Sequence, residues 1–244
     1  MLTFLRRIRK SLIETGSTRK YILYAIGEIL LVVIGILIAL QINTWNEERK
    51  ARIREVKLLK ELKSNLLVNQ HRLSQQIDEE TTYFNSAKII VNHLDQQLPY
   101  HDSLATHFEL SQLSADIVLT SSAYEAIKSL GFDIISNDTL RSAIIDLFDT
   151  NYATMIRNTI GLEDQFWPAV TLKPWIKHLR HKSMDEERPG LVPINYAALL
   201  RDVEFRSMLE KRGLFRRQGA ELKTESLKQT EALIAQIDRE LIRD

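Results

Sequence analysis

The residue with the strongest chemical signature is Glu28, a carboxylate inside a long apolar stretch. From Ile22 to Ile42 the chain reads ILYAIGEILLVVIGILIALQI, in which Glu28 and Gln41 are the only strongly polar side chains. A carboxylate is costly in a lipid interior, so we expect Glu28 to meet a partner helix or to take part in proton transfer. The alternative is that Glu28 reaches towards the headgroups and the basic residues Arg19 and Lys20.

Small residues share a helical stripe with Glu28. Counting 100° per residue places Glu28, Gly35, Ala39 and Asn46 on one face, and Gly35-xxx-Ala39 is a contact typical of helices that associate in membranes. Gln41 lies on nearly the opposite face, where it predicts a second neighbour. We therefore predict transmembrane association through Glu28, Gly35, Ala39, Gln41 and Asn46.

The histidines suggest a metal site only weakly. His178-x-x-His181, with Asp185 and Glu186 nearby, would present two imidazoles on one face of a helix predicted around Trp175–Lys182. Zinc sites add further ligands at defined spacings, and the neighbouring lysines and arginine would oppose a cation. We predict no metal and no cofactor.

Catalytic motifs are missing from the sequence. It contains no G-x-S-x-G nucleophile motif, no glycine-rich phosphate loop and no cysteine. Ser122-x-x-Glu125 is interpreted as a capping box that opens a helix. The formal net charge of +1 provides no field for nucleic acid. We predict that the protein is not an enzyme and does not bind nucleic acid.

Basic residues cluster on the last predicted helix, at Lys211, Arg212, Arg216 and Arg217. The preferred interpretation is a solvated face whose cations pair with Glu210 and Glu221 along the helix. Contact with phosphate headgroups or an acidic partner is the alternative.

The apolar stretch is long enough to cross a bilayer as one helix. At 1.5 Å per residue, about 21 residues cover roughly 30 Å of hydrocarbon. The run exceeds the apolar region of a signal peptide and no small-x-small cleavage site follows it, so we predict an uncleaved signal anchor. The predicted division is a short basic amphipathic tail over 1–20, a transmembrane helix over 21–43 and an extramembrane domain over 44–244. Residues 2–14 of the tail predict a small amphipathic helix.

The orientation of the chain in the membrane follows only indirectly from the residues on either side of the apolar stretch, because both sides carry the same number of lysines and arginines. A short basic tail before the first apolar segment tends to stay in the cytoplasm, whereas long domains translocate regardless of charge. We expect the N-terminus in the cytoplasm and the large domain outside it.

The remaining chain is predicted to be helical. Apolar residues at three- and four-residue steps favour a long amphipathic helix that ends before Pro99, with a bend near Asn43–Glu48 or Ser74–Thr82. A connection with one short helical turn over 99–120 should be followed by a helix from Ser122 to Gly131. A further helix should run from Asn137–Asp138 to about Phe166.

Prolines and glycines predict the later breaks. Pro168 and Pro174 should bracket a change of direction, and Pro189, Gly190 and Pro193 should form a loop. Asp202 is the expected N-cap of a last helix that reaches almost to the end of the chain. The fold class is therefore all-α: a single transmembrane helix continues into a long amphipathic helix, with an extramembrane helical bundle and little or no sheet.

The stretch YAIGEILLVVIGILIALQINTWNEERK, followed by EVKLLKELKSNLLVN, resembles an uncharacterised family of single-span membrane proteins from Gram-negative bacteria. The similarity continues through TSSAYEAIKS and ISNDTLR to EFRSML. The resemblance implies a location in the bacterial inner membrane. It implies no activity, because the family is one of unknown function.

These observations favour a membrane-anchored scaffold or interaction protein that associates through its transmembrane helix and its helical domain. The expected partners are the lipid bilayer and either a second copy or another membrane protein. The alternatives are a ligand-sensing helical bundle of the cell envelope, or an ion-coupled accessory subunit that uses Glu28.

Overall fold

The computed structural model describes residues 18–183, 185 and 190–243. The amphipathic helix predicted over residues 2–14 lies outside the described residues. The chain divides into two compact units, one up to Arg54 and one from Glu55 to Asp244.

Helix α1 spans Thr18–Asp95 and dominates the first unit. An 18-residue window of this helix has a mean hydropathy of 2.6 and none of it is buried, so α1 is long and apolar enough to cross a membrane. The helix ends before Pro99, as predicted. Both stretches in which a bend is predicted, Asn43–Glu48 and Ser74–Thr82, are continuous α-helix, so the chain has no break there.

The second unit contains the rest of the helices and a small hairpin. Its described elements after α1 are α2 (Leu104–Gln112), α3 (Ser122–Leu130), α4 (Asp138–Ile145), α5 (Ala153–Phe166), α6 (Leu172–His178), β1 (Leu179–His181), β2 (Leu191–Pro193), α7 (Tyr196–Leu199) and α8 (Val203–Ile242). A 3₁₀ turn covers Phe132–Ile134, and π-helical segments cover Asp146–Tyr152 and Trp167–Thr171. The predicted fold class, a long apolar helix followed by a helical bundle, is confirmed.

The start of α3 is stabilised by a different helix from the one predicted. Ser121 is the N-cap and makes no side-chain capping bond, so the predicted capping box of Ser122 and Glu125 is wrong. Asn65 of α1 supplies the capping oxygen, because its Oδ1 accepts from the Ala123 amide at 2.9 Å and from the Ser122 hydroxyl at 3.0 Å. Gly131 ends α3 at a φ of 94°, as expected of a glycine.

Helical structure continues from Asp138 through both prolines to His178. The change of direction predicted between Pro168 and Pro174 thus falls in helical structure, in the π-helical segment Trp167–Thr171 and the start of α6. Pro168 lies near the start of the π-helical segment Trp167–Thr171, where the hydrogen-bond ladder shifts register and tolerates a missing amide. Asn137 caps α4 as predicted, since its side chain accepts from the Leu140 amide.

A two-stranded hairpin replaces part of the helix predicted around Trp175–Lys182. Strands β1 and β2 pair antiparallel, with Leu179 opposite Pro193. Both Leu179 and Leu191 are buried, so apolar contact holds these residues extended. Gly190 has a φ of 74°, and an added Cβ would lie 3.1 Å from the Cβ of Ala105. The loop predicted over Pro189–Pro193 is thus partly strand, and Pro189 lies outside the described residues.

Helix α8 packs antiparallel along the part of α1 that belongs to the second unit. The register is regular: Lys63 pairs with Asp238 at 2.5 Å, and Arg206 pairs with Asp95 at 2.6 Å at the other end. Asp202 caps α8 as predicted by accepting from the Phe205 amide at 2.9 Å. The same carboxylate takes hydrogen bonds from Lys177 and His178, and that from Lys177 is the main reason that the pKa of Asp202 lies below its usual value.

Two apolar clusters form the core of this unit. The larger cluster contains Leu62 and Leu66 of α1, Ile127 of α3 and Ile237 of α8. The smaller cluster contains Ile90 of α1, Phe108 of α2 and Phe205 of α8, with the ring centroids of Trp175 and Phe205 stacked at 5.4 Å. Along both α1 and α8, polar buried residues separate the two clusters.

Candidate functional site

The predicted association residues all lie on α1 in the first unit. Glu28 is half-buried, and Gly35, Ala39, Gln41 and Asn46 are exposed. An added Cβ at Gly35 would meet no atom within 4 Å, which leaves room for another helix. Association through these residues needs a second chain and stays a prediction.

The second unit holds a layer of charged side chains between its two apolar clusters. We call Glu80 of α1, Glu163 of α5, and Arg212, Arg216 and Lys223 of α8 the charge layer. Its side chains are between 0 and 12% exposed. Charged groups buried to this degree need ionic partners and hydrogen bonds to remain charged.

Glu80 lies opposite the middle of α8. Its Oε1 accepts from the Lys223 ammonium at 2.6 Å, and its Oε2 lies 3.6 Å from the Arg216 guanidinium. Lys223 also donates to the carbonyl of Ala115 at 2.9 Å. Gly219 makes room for this carboxylate, because an added Cβ there would lie 2.8 Å from Glu80 Oε1.

Glu163 joins two arginines of α8. Its Oε1 pairs with Arg212 at 2.6 Å and its Oε2 with Arg216. Arg212 also donates to the carbonyls of Ser111 at 3.3 Å and Gln112 at 2.5 Å, so it closes the end of α2. The guanidinium lies 4.9 Å from the ring centroid of Trp167, a cation–π distance.

Burial dominates the electrostatics of the layer. Desolvation raises the pKa of Glu80 above 4.5, although the charges of Arg216 and Lys223 act in the opposite direction. Desolvation likewise lowers the pKa of Lys223 and of Arg212. Because each carboxylate contacts two cations, the arrangement is suited to holding helices together.

The predicted solvated face of α8 is wrong for two of its residues. Arg212 and Arg216 are buried in the charge layer, whereas Arg217 is exposed and lies 3.8 Å from Glu221 as predicted. Glu210 pairs with Arg206 at 2.5 Å. The burial of Arg212 and Arg216 was not predicted, because their carboxylate partners Glu80 and Glu163 are distant in sequence.

The structure separates the histidines of the weak metal pattern. His178 Nε2 lies 2.7 Å from Asp202 Oδ2, while His181 lies on β1 with its Nδ1 4.0 Å from Glu109. The two imidazoles therefore do not share a helix face. Glu186 lies outside the described residues, and no group of three or more metal-ligating side chains occurs in the part of the chain that the structure describes.

These features define a class of largely helical protein. One helix is able to cross a membrane, and a helical bundle with a buried charge layer follows it. Residues 28–168, more than half of the chain, match the model of DUF6090, a family of unknown function. The chain belongs to this family. Glu80 and Glu163 fall within the matched residues, whereas the three cations of the charge layer lie beyond them. No curated protein and no solved structure matches the chain.

Proposed function

We propose that this protein is a membrane-anchored helical scaffold that assembles through its transmembrane helix with a second copy or with another membrane protein. Helix α1 would cross the bilayer once as an uncleaved anchor, and the bundle would present its surface to partners.

The observation that carries this proposal is the exposure of an apolar helix. Residues such as Leu31, at 74% exposed, and Ile29, at 63%, have no protein neighbours that cover them in the first unit. Water contact with apolar surface is unfavourable by about 25 cal/mol per Å². Lipid tails remove that penalty over the whole length of such a segment.

Association is supported by the composition of one face. Gly35 and Ala39 would let a second backbone approach closely, and Glu28 lies on the same stripe. An open environment around Gly35 is consistent with a contact that forms only between chains.

Gly35→Leu and Glu28→Leu are expected to reduce crosslinked oligomer in native membranes at least fivefold. The leucine at position 35 blocks close approach, and loss of the carboxylate removes a polar contact that has no substitute in lipid. Crosslinking and co-purification of the full-length chain measure the change. A single band at twice the chain mass would indicate a second copy, and a band of another mass a different membrane protein.

Leu40→Phe is the matched control, because Leu40 lies about 120° from Glu28 and about 100° from Gln41 around the helix at 100° per residue. It adds bulk away from both predicted contact faces and should leave crosslinking unchanged. Monomeric behaviour of the unmodified chain under every crosslinking condition would rule out the scaffold.

We further propose a bacterial inner-membrane location, with the N-terminus in the cytoplasm and the C-terminal domain in the periplasm. The short basic tail and the resemblance described above support this placement. Alkaline phosphatase fused after Asp244 is expected to be active, and a fluorescent protein at the same place is expected to be dark. The opposite pair of results would reverse the orientation.

A further inference from the structure

A group of cations follows the candidate membrane span directly on α1. Residues 47–54 contain four cations and two carboxylates, which leaves a surplus of two positive charges. The cations are Arg49, Lys50, Arg52 and Arg54, and the carboxylates are Glu47 and Glu48. All six residues belong to the first unit.

Three of these cations form one exposed face, which we call the basic face: Arg49, Lys50 and Arg54. At 100° per residue they lie within about 140° of the helix surface. Arg49 and Arg54 make no ion pair with any described residue. Lys50 pairs with Glu47 at 3.0 Å, but both side chains are more than half exposed. Ion pairs on the surface are weak, so Lys50 can exchange this partner for another anion.

The basic face lies at the depth of lipid phosphates if α1 crosses the bilayer up to Asn43. Arg49 and Lys50 follow Asn43 by roughly 9–11 Å along the helix, and the headgroup layer extends about 5–8 Å beyond the hydrocarbon. Side chains of a helix tilt towards its N-terminus, which here is the direction of the span. Arg54 follows at about 16 Å, from where its charge still acts on the headgroups, because screening extends over about 8–10 Å.

Trp45 lies between the span and the basic face. It is 62% exposed, and aromatic rings with a polar atom are enriched at the depth of the headgroups. Trp45 and Arg49 are four residues apart, so they lie one turn apart on the same side of α1. A phospholipid whose phosphate binds Arg49 would therefore have its upper acyl chain beside the indole.

We propose that the basic face binds the phosphates of anionic phospholipid headgroups. This inference rests on the proposed membrane crossing of α1. Arg49 would donate two parallel N–H bonds to one phosphate, a geometry that suits a guanidinium. Lys50 and Arg54 would add the attraction that distinguishes an anionic headgroup from a zwitterionic one.

Fluorescence of Trp45 in the full-length protein, reconstituted in phosphatidylcholine vesicles, tests the proposal. The vesicles contain a small fraction of either phosphatidylglycerol or phosphatidylcholine that is brominated in the upper part of the acyl chain, since bromine quenches an indole only at close range. Quenching by the brominated phosphatidylglycerol is expected to be at least twofold stronger. Trp167 and Trp175 belong to the second unit, and Trp45→Phe should abolish the difference.

The triple variant Arg49→Gln, Lys50→Gln, Arg54→Gln should be quenched equally by the two lipids, because the cations that attract the extra negative charge are gone. All three positions are exposed, so the variant is expected to keep the circular dichroism of the unmodified chain. A twofold preference that persists in this variant would contradict the assignment.

The matched control is the triple variant Arg201→Gln, Arg217→Gln, Lys228→Gln. It removes two arginines and one lysine from exposed positions of the second unit, so the change in net charge is the same. Its preference for phosphatidylglycerol should stay within the error of the unmodified chain. An equal loss in this control would reduce the effect to net charge and overturn the proposal.

Two further arms separate the possible sources of the anion. Inorganic phosphate, compared with sodium chloride at the same ionic strength, should leave the lipid preference unchanged, and a loss specific to phosphate would refute a lipid site. Equal quenching by both lipids in the unmodified chain would also refute it and would leave the basic face to an acidic segment of a partner protein.

Flotation with pure phosphatidylcholine vesicles after a carbonate wash tests the crossing of α1 by itself. Release of the protein in that wash would defeat the proposed function together with this inference. Protein that stays with the vesicles but shows no preference between the two brominated lipids would defeat this inference alone.

Discussion

Replacing Glu80 with leucine is expected to lower the free energy of unfolding by about 3–5 kcal/mol, because a buried ionic partner is removed. Lys223 is 0% exposed and would lose its carboxylate at 2.6 Å, and Arg216 would keep only Glu163. Desolvation of the unpaired ammonium then opposes folding. Urea unfolding of the full-length protein, followed by circular dichroism, measures the change.

Glu79→Leu is the control for this experiment, since Glu79 is the exposed neighbour on the same helix. It should alter the unfolding free energy by less than about 0.5 kcal/mol. The double variant Glu80→Leu, Lys223→Leu should recover a large part of the loss, because the stranded charge is gone. Equal effects at positions 79 and 80 would refute the burial of this pair.

Arg212→Leu should destabilise the protein by a similar amount, about 3–5 kcal/mol. The side chain is fully buried and satisfies Glu163 together with the carbonyls of Ser111 and Gln112. Leucine leaves those carbonyls without a donor and removes the cation above Trp167. Hydrogen exchange should quicken selectively at the end of α2, a change that mass spectrometry of the full-length chain can follow.

Arg217→Leu provides the comparison, because Arg217 lies on the same helix with its side chain 58% exposed. Its ion pair with Glu221 lies on the surface and contributes about 0–1 kcal/mol. A loss at Arg217 as large as that at Arg212 would contradict the buried position of Arg212.

Periodicity was sufficient to predict the helical architecture. The unbroken apolar run predicted α1, and Asn137 and Asp202 marked helix starts, because capping depends on residues close in sequence. Sequence patterns therefore predicted the features that depend on interactions between residues close in sequence.

The charge layer could in principle be predicted from core positions that recur every seven residues along α1 and α8. Leu66, Leu73, Glu80, Ala87 and Leu94 recur every seven residues on α1 and are all buried. Leu209, Arg216, Lys223, Thr230 and Ile237 do the same on α8. A charge at a core position of such a repeat indicates a buried partner. The carboxylate that joins Arg212 and Arg216 could not be identified from this repeat, because Glu163 belongs to a third helix.

Other features depend on contacts that sequence patterns do not encode. Asn69 exchanges two hydrogen bonds with the backbone of Thr120, at 2.7 and 2.9 Å, and Asn65 caps α3 from another helix. Both asparagines lie more than fifty residues from their partners. Local capping rules assigned the helix start to Ser122, since it alone had a suitable neighbour in sequence.

The antiparallel pairing of α1 and α8 limits how the second unit can transmit force. An axial slip of one helical turn, about 5.4 Å, would move Lys223 and Arg216 away from Glu80 and towards Ile77 or Phe84 of α1. Desolvated ions opposite hydrocarbon make that displaced arrangement unfavourable. Within the second unit the two helices therefore resist sliding along each other, and an axial pull on one of them is passed to the other.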